Sequence, residues 1–345
     1  MQQSSERCKI IVDAMGGDYA PENAVIGAVE AANENSGFDL FLVGIEKDIT
    51  KVLKEKKLKF DTSRIINAPE VIEMGDSPTD AIKKKPNASI VIGSKYVKEK
   101  KAHAFVSAGN TGAMMAASTL IMGRLKNVGR PTIGAEIPNV HGTCHLFDVG
   151  AGKDAKPVHL FEYAVMGSIY AKELRNIPNP KVGILSMGEE ESKGNEVTTA
   201  AFRLLKESKL NFVGNVEGRD ILTGNVDVVV CDGFIGNILL KFGESVPKLL
   251  KHLLKQTADK NLIDKIKIGL FKSTLKRALK SLDYQEHGGV PLLGVNGISI
   301  IGHGSSTPKA IKNMVFRAYD MYKKDLNNKI ENSLTDYLNI VDPNK

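Results

Sequence analysis

Cysteine is scarce: three in 345 residues, at Cys8, Cys144 and Cys231. They are widely spaced and odd in number, and two sit in strand-like apolar runs. Buried thiols in a reducing compartment are therefore expected, not disulfides or metal ligands. No apolar run approaches the roughly 18 residues that cross a bilayer. The opening MQQSSER lacks the apolar core of a secretory signal, so a cytoplasmic location is expected. Seven histidines are scattered, none paired at metal-ligand spacing, and no metal site is expected. Also missing are a GxGxxG opening a helix, a P-loop, a GxSxG elbow and HExxH. Those absences argue against a typical dinucleotide site, a nucleotide-triphosphate site, a serine-hydrolase elbow and a zinc peptidase; no cofactor is called for.

What is present is regular. The length suits one large α/β domain or two smaller ones. Strand-like runs recur at 9–13, 39–44, 103–108, 145–150, 181–186 and 226–232. Helical stretches are expected at 21–34, 88–100, 111–123, 157–175, 195–208 and 307–330. This alternation predicts an α/β fold, a doubly wound, mostly parallel sheet with helices on both faces in a Rossmann-like three-layer sandwich. No repeat or linker divides the chain, so a single domain over 1–345 is expected, with an inserted basic helical pair at 246–283.

Glycine-bearing turns follow several of the strands: DAMGGD (13–18), SAGNTG (107–112), DVGAG (148–152), SMGEEESKGNE (186–196) and DGFIGN (232–237). Ligands of open parallel sheets bind outside the carboxyl ends of the strands. If these ends share one edge, they build one polar cleft rich in backbone donors, suited to a phosphate. Glycine is also needed at tight turns for purely structural reasons. In the first loop, Gly16 and Gly17 allow close backbone approach. Asp13 and Asp18 would repel an anion and are expected to shape the loop instead.

The blocks DAMGGD, SAGNTGA, DVGAGKDAKP, KGNE, VEGRDI, DGFIGN, GGVPLLGVNG and HGSS, in this order from about Ile10 to Arg317, resemble the bacterial phosphate acyltransferases of phospholipid synthesis. One such block is weak; eight in order are specific. The resemblance implies transfer of a long-chain fatty acyl group from acyl carrier protein to inorganic phosphate, without metal or cofactor. Two positions depart from the family pattern: Gly152 stands where asparagine is usual, and Met187 where a small or polar residue is.

That reaction requires phosphate to be held, an oxyanion to be stabilised and a thiolate to leave. Lys193 alone reads as a solvated loop lysine; the resemblance places it in the active cleft as the leading catalytic group. Asn237 could donate to a carbonyl or phosphate oxygen, or cap a helix. His303 could protonate the thiolate or orient phosphate. Asp13, Gly16, Gly17, Ser107, Asn110, Thr111, Gly188, Asp232 and Gly233 are candidates for the substrate-binding loops. No cysteine lies in a glycine turn, so direct attack by phosphate is favoured over an acyl-enzyme.

The net charge of +7 is local. Residues 246–282 carry ten cations against Asp259 and Asp264, a surplus of +8 that leaves the rest at −1; a nucleic-acid partner is not expected. Apolar positions here follow helical spacing, with Leu249, Leu250, Leu253 and Leu254, then Ile266 and Phe271, among lysines that include Lys255 and Lys272. A basic amphipathic helix suits a membrane surface or an acidic partner, although its apolar face could instead pack on the core. The resemblance implies a protruding helical pair near a homodimer interface and peripheral contact with the inner face of the membrane. It also implies a functional link to a membrane-bound glycerol-3-phosphate acyltransferase. Acyl-CoA-dependent transfer, as in phosphotransacetylases, a nucleotide-dependent dehydrogenase and a non-enzymatic membrane-surface scaffold are the competing readings.

Overall fold

The computed structural model describes residues 6–278 and 288–341. The first part of the chain forms β1 (Cys8–Asp13), α1 (Glu22–Glu34), β2 (Phe38–Gly44), α2 (Glu46–Glu55), β3 (Ile65–Asn67), α3 (Pro78–Lys84), α4 (Ser89–Lys98), β4 (Ala104–Ser107) and α5 (Thr111–Ala117). The middle forms β5 (Thr132–Asn139), β6 (Gly142–Phe147), α6 (Pro157–Arg175), β7 (Val182–Leu185), α7 (Glu196–Lys206), β8 (Phe212–Val216), α8 (Asp220–Thr223) and β9 (Val228–Val230). Then come α9 (Gly233–Ala258), α10 (Leu262–Ala278), β10 (Val290–Leu293), β11 (Ile298–Ile301), α11 (Pro308–Lys323) and α12 (Leu326–Val341).

The strands form one 11-stranded sheet in the order β3-β2-β1-β4-β11-β10-β5-β6-β9-β7-β8. Its strands are short, β-branched and buried on both faces, as expected of a sheet covered on both sides. Alternate side chains enter different layers: Ile10, Val12, Ala104 and Val106 join the core that includes α1, α6 and α11 residues. Ile11, Phe105 and Val229 join the other, with α4 and α5. The three-layer α/β expectation holds.

The sheet is mostly parallel, with three consecutive antiparallel pairings at its centre. β10 is antiparallel to both β11 and β5, and β5 is antiparallel to β6. Hence β6, β9, β7 and β8 run opposite to β1–β4 and β11. The expected helix at 307–330 is two helices, broken where Asp325 takes a left-handed φ of 52°. The first helix of the basic segment starts at Gly233, not near 246, so it is continuous with the DGFIGN loop.

Candidate active site

The five glycine loops do not share one edge, because the strand reversal sends them out in opposite directions. Hydrogen bonds gather them into two networks. In the first, Asp13 is buried at the end of β1. Its carboxylate accepts from Ser107 Oγ at 2.7 Å and from the Met15 N–H at 3.0 Å. Burial pushes the Asp13 carboxyl up, opposed by the hydroxyls of Ser107 and Ser89 and the Met15 amide. Ser107 Oγ in turn accepts from the Gly109 N–H at 3.0 Å. A Cβ on Gly16 would lie within 3 Å of Gly109 N, Ser107 Oγ and Asp13 Oδ2, so this glycine lets the two loops meet. Gly17, at φ 110°, faces the Gly304 carbonyl, which accepts from the Asp18 N–H at 2.7 Å. The Asp13 carboxylate is spent on the loop itself, and Asp18 joins it through its backbone N–H.

Asn110 is also spent internally. Its Oδ1 caps α5 at Ala113 N, and its Nδ2 donates to the carbonyls of Glu73, Met74 and Asp76 at 3.0–3.1 Å. Thr111 beside it is exposed. His303 lies in this network, exposed, with Nδ1 accepting from the Ser305 N–H at 3.1 Å and 2.8 Å from Ser305 Oγ.

The second network centres on a residue that the sequence reading did not single out. Asp148, fully buried at the end of β6, accepts from four backbone N–H groups: Ile133, Gly150 and Ala151 on Oδ1, Gly152 on Oδ2. Burial pushes its carboxyl up, against these donors, which favour the charged form. The start of α9 packs backbone to backbone on this loop. A Cβ on Gly236 would lie 1.8 Å from Asp148 O, and one on Gly233 2.3 Å from Gly152 O. Asp232 caps α9, accepting from Phe234 N at 2.9 Å and Ile235 N at 3.0 Å. Asn237 is therefore not the cap; its Nδ2 donates to Val149 O at 3.0 Å and ties the helix to the loop. A Cβ on Gly152 would lie 2.4 Å from Arg130 Cζ, on a guanidinium that donates to Asp154 O along the same loop.

Lys193 belongs to this second set of loops, between β7 and α7. It is exposed and forms no ion pair among the described residues. Its stem passes over buried Gly188, whose Cβ would lie 3.0 Å from Lys193 Cγ. Buried Asn215, at the end of β8, pins the loop by donating to Glu190 O at 2.7 Å and Lys193 O at 3.3 Å. Asn195 caps α7 at Thr198 N. Lys193 is the one cation of a loop that also carries Glu189, Glu190, Glu191 and Glu196, with Glu190 Oε2 2.9 Å from where a Cβ on Gly188 would lie. The N-terminus of α7 adds backbone donors beside its ammonium. Lys193, Gly188, Asp232, Gly233 and Asn237 thus belong to the β7 and β9 side; Asp13, Gly16, Gly17, Ser107, Asn110, Thr111 and His303 belong to the β1–β4–β11 side.

All three cysteines are buried and unpaired. Burial pushes the Cys8 and Cys144 thiols up to about 12, and Cys231 well above its usual value. On α9 and α10, Leu249, Leu250, Leu253, Ile266 and Phe271 are exposed, Lys255 with them, while Leu254 is half-buried. This apolar face does not pack on the core. The side chain of Lys272 lies outside the described residues. Among the described residues no helix is long and apolar enough to cross a membrane.

Solved structures share this architecture. EutD phosphotransacetylase from Staphylococcus aureus superposes with a TM-score of 0.58 at 17% identity, over 91% of this chain and 94% of that one. A phosphotransacetylase from Streptococcus pyogenes gives 0.56 at 17%, over 94% of each. The fold is thus that of the phosphotransacetylase-like α/β proteins. More narrowly, the chain belongs to the family described as fatty acid synthesis protein, whose model matches residues 8–329. Its curated relatives include the phosphate acyltransferases of Halothermothrix orenii, 46% identical over 92% of this chain and 96% of that one, and of Pelotomaculum thermopropionicum, 48% identical over 94% and 95%.

Proposed function

We propose that this chain is a phosphate acyltransferase of phospholipid synthesis, moving a long-chain acyl group from acyl carrier protein to inorganic phosphate. The observation that carries the chemistry is Lys193: a cation without an ion-pair partner among the described residues, on a loop fixed by Asn215, at the N-terminus of an 11-residue helix. A phosphate oxygen attacks the thioester carbonyl carbon, and the carbonyl electrons move onto oxygen. Collapse of that oxyanion breaks the carbon–sulfur bond; the carrier thiolate leaves and takes up a proton. The Lys193 ammonium offsets the charge on phosphate and oxyanion. With the cysteine thiols buried and their ionisation suppressed, direct transfer is favoured over a thiol-bound acyl-enzyme.

The basic, apolar face of α9 and α10 supports the rest of the reading: a homodimer that touches the inner membrane surface and draws an acidic carrier protein by charge. It delivers acyl phosphate to a membrane-bound glycerol-3-phosphate acyltransferase. The test is acyl phosphate formation from palmitoyl–acyl carrier protein and labelled phosphate. Lys193→Ala is expected to lower the rate about 10²–10³-fold with an unchanged circular dichroism spectrum. A folded Lys193→Ala variant of full activity removes Lys193 from the mechanism.

A further inference from the structure

Next to Lys193 lies a groove of about 440 Å³, formed by Leu185, Met187, Gly218, Ile235 and Leu239, with Ser186, Gly194, Asn195 and Thr198 at its polar side. Its size falls in the range of small-ligand sites, roughly 300–1,000 Å³. Four elements build it: the end of β7, the first turn of α7, the turn after β8 and the first two turns of α9. Ser186 Oγ is shielded from solvent and has no hydrogen-bond partner among the described residues. A buried hydroxyl left this way is destabilising until an acceptor or donor pairs it. Met187, 81% exposed, and Ile235, 39% exposed, present large apolar surface beside it. A Cβ on Gly218 would meet nothing within 4 Å, so the turn leaves the groove open there.

We propose that this groove is the acyl subsite: the chain's first methylenes lie along Leu185, Ile235 and Leu239, and its carbonyl end faces Ser186 and Lys193. The assignment rests on the acyltransferase reading above. An apolar wall that ends at Ser186 and a helix N-terminus, one residue along the loop from Lys193, matches a hydrocarbon with one polar end. It also gives Met187, at odds with the small or polar residue expected there, a role as apolar lining. The helix that carries the exposed leucines supplies this wall through Ile235 and Leu239, so the subsite and the basic segment share one element.

Laurate titration into the whole chain, followed by calorimetry, tests this without relying on turnover. Gly218→Leu fills the open side, and Ile235→Gln places an amide on the wall at a surface position that leaves the fold intact. The unaltered chain is expected to bind laurate at one site, and each folded variant to bind it about tenfold more weakly or worse. Laurate binding that is absent in the unaltered chain, or unchanged in both folded variants, overturns the assignment. Acyl phosphate formation by the same preparations separates the two readings. Groove-dependent laurate binding without acyl phosphate removes the reaction and leaves the lipid site; acyl phosphate with variant-independent laurate binding does the reverse.

Discussion

Asp148, which the sequence reading did not pick out, holds four backbone N–H groups, as many backbone partners as Asn110 has. Replacing it with alanine leaves the N–H groups of Ile133, Gly150, Ala151 and Gly152 without their acceptor. Unsatisfied buried donors cost about 1–3 kcal/mol each, partly recovered by relaxation. Asp148→Ala is therefore expected to lose about 3 kcal/mol or more in urea unfolding. Asp148→Asn, which keeps one oxygen for three of the donors, is expected to lose less. Equal stability of both variants with the parent would show that the loop holds itself. The sequence pointed to the right loop but not to this residue. Hydrogen bonds that span distant positions are the reason: Ser107 and Asp13 are 94 residues apart, Asn237 and Val149 are 88. Asp13, Ser107 and Asn110 read as ligand candidates, whereas folding pairs Asp13 with Ser107 and spends Asn110 on the backbone of Glu73, Met74, Asp76 and Ala113.

At the scale of elements, strands of β-branched residues and helices of clear periodicity were legible. β1, β2, β4, β6, β7 and β9 overlap the expected runs, as do α1, α4, α6 and α7. The short or glycine- and proline-interrupted strands β3, β5, β8, β10 and β11 were not, because their stability comes from neighbours and not from local pattern. The helix α9 was half legible. Its amphipathic part was read from Val246 onward, but Gly236 and Gly243 weaken the helical signal of the preceding turns. As one helix of 26 residues it is about 39 Å long and joins the Asp148 loop to the exposed leucines. Glutamine at both Leu249 and Leu253 is expected to cut co-sedimentation with anionic vesicles by about tenfold or more, since each leucine loses roughly 1.5–3 kcal/mol of apolar burial. Added salt is expected to weaken the parent's binding as well. Vesicle binding unchanged by the double substitution would assign the stripe to another contact.

For the whole molecule, α/β alternation gave the layered architecture, but not the three antiparallel pairings at β11–β10–β5–β6 that leave its two halves opposed. That opposition depends on the β5–β6 hairpin around Val140 and His141, where β6 was recognised only in part and β5 not at all. Its consequence is that two loop networks, not one edge, carry the polar residues. Charge divides the chain too: residues 246–282 carry +8 against −1 for the remainder, and nine of their ten cations lie on α9, α10 and the turn between them. The proposed function brings an acyl donor to the basic helical pair and holds phosphate at Lys193. The measurement that tests this most directly follows labelled phosphate with palmitoyl–acyl carrier protein and, in parallel, palmitoyl-CoA. The account predicts one acyl phosphate formed per carrier thiol released, dependent on phosphate, with the carrier-bound donor preferred. Thiol release without label in acyl phosphate, or no reaction with either donor in the presence of anionic vesicles, would contradict it.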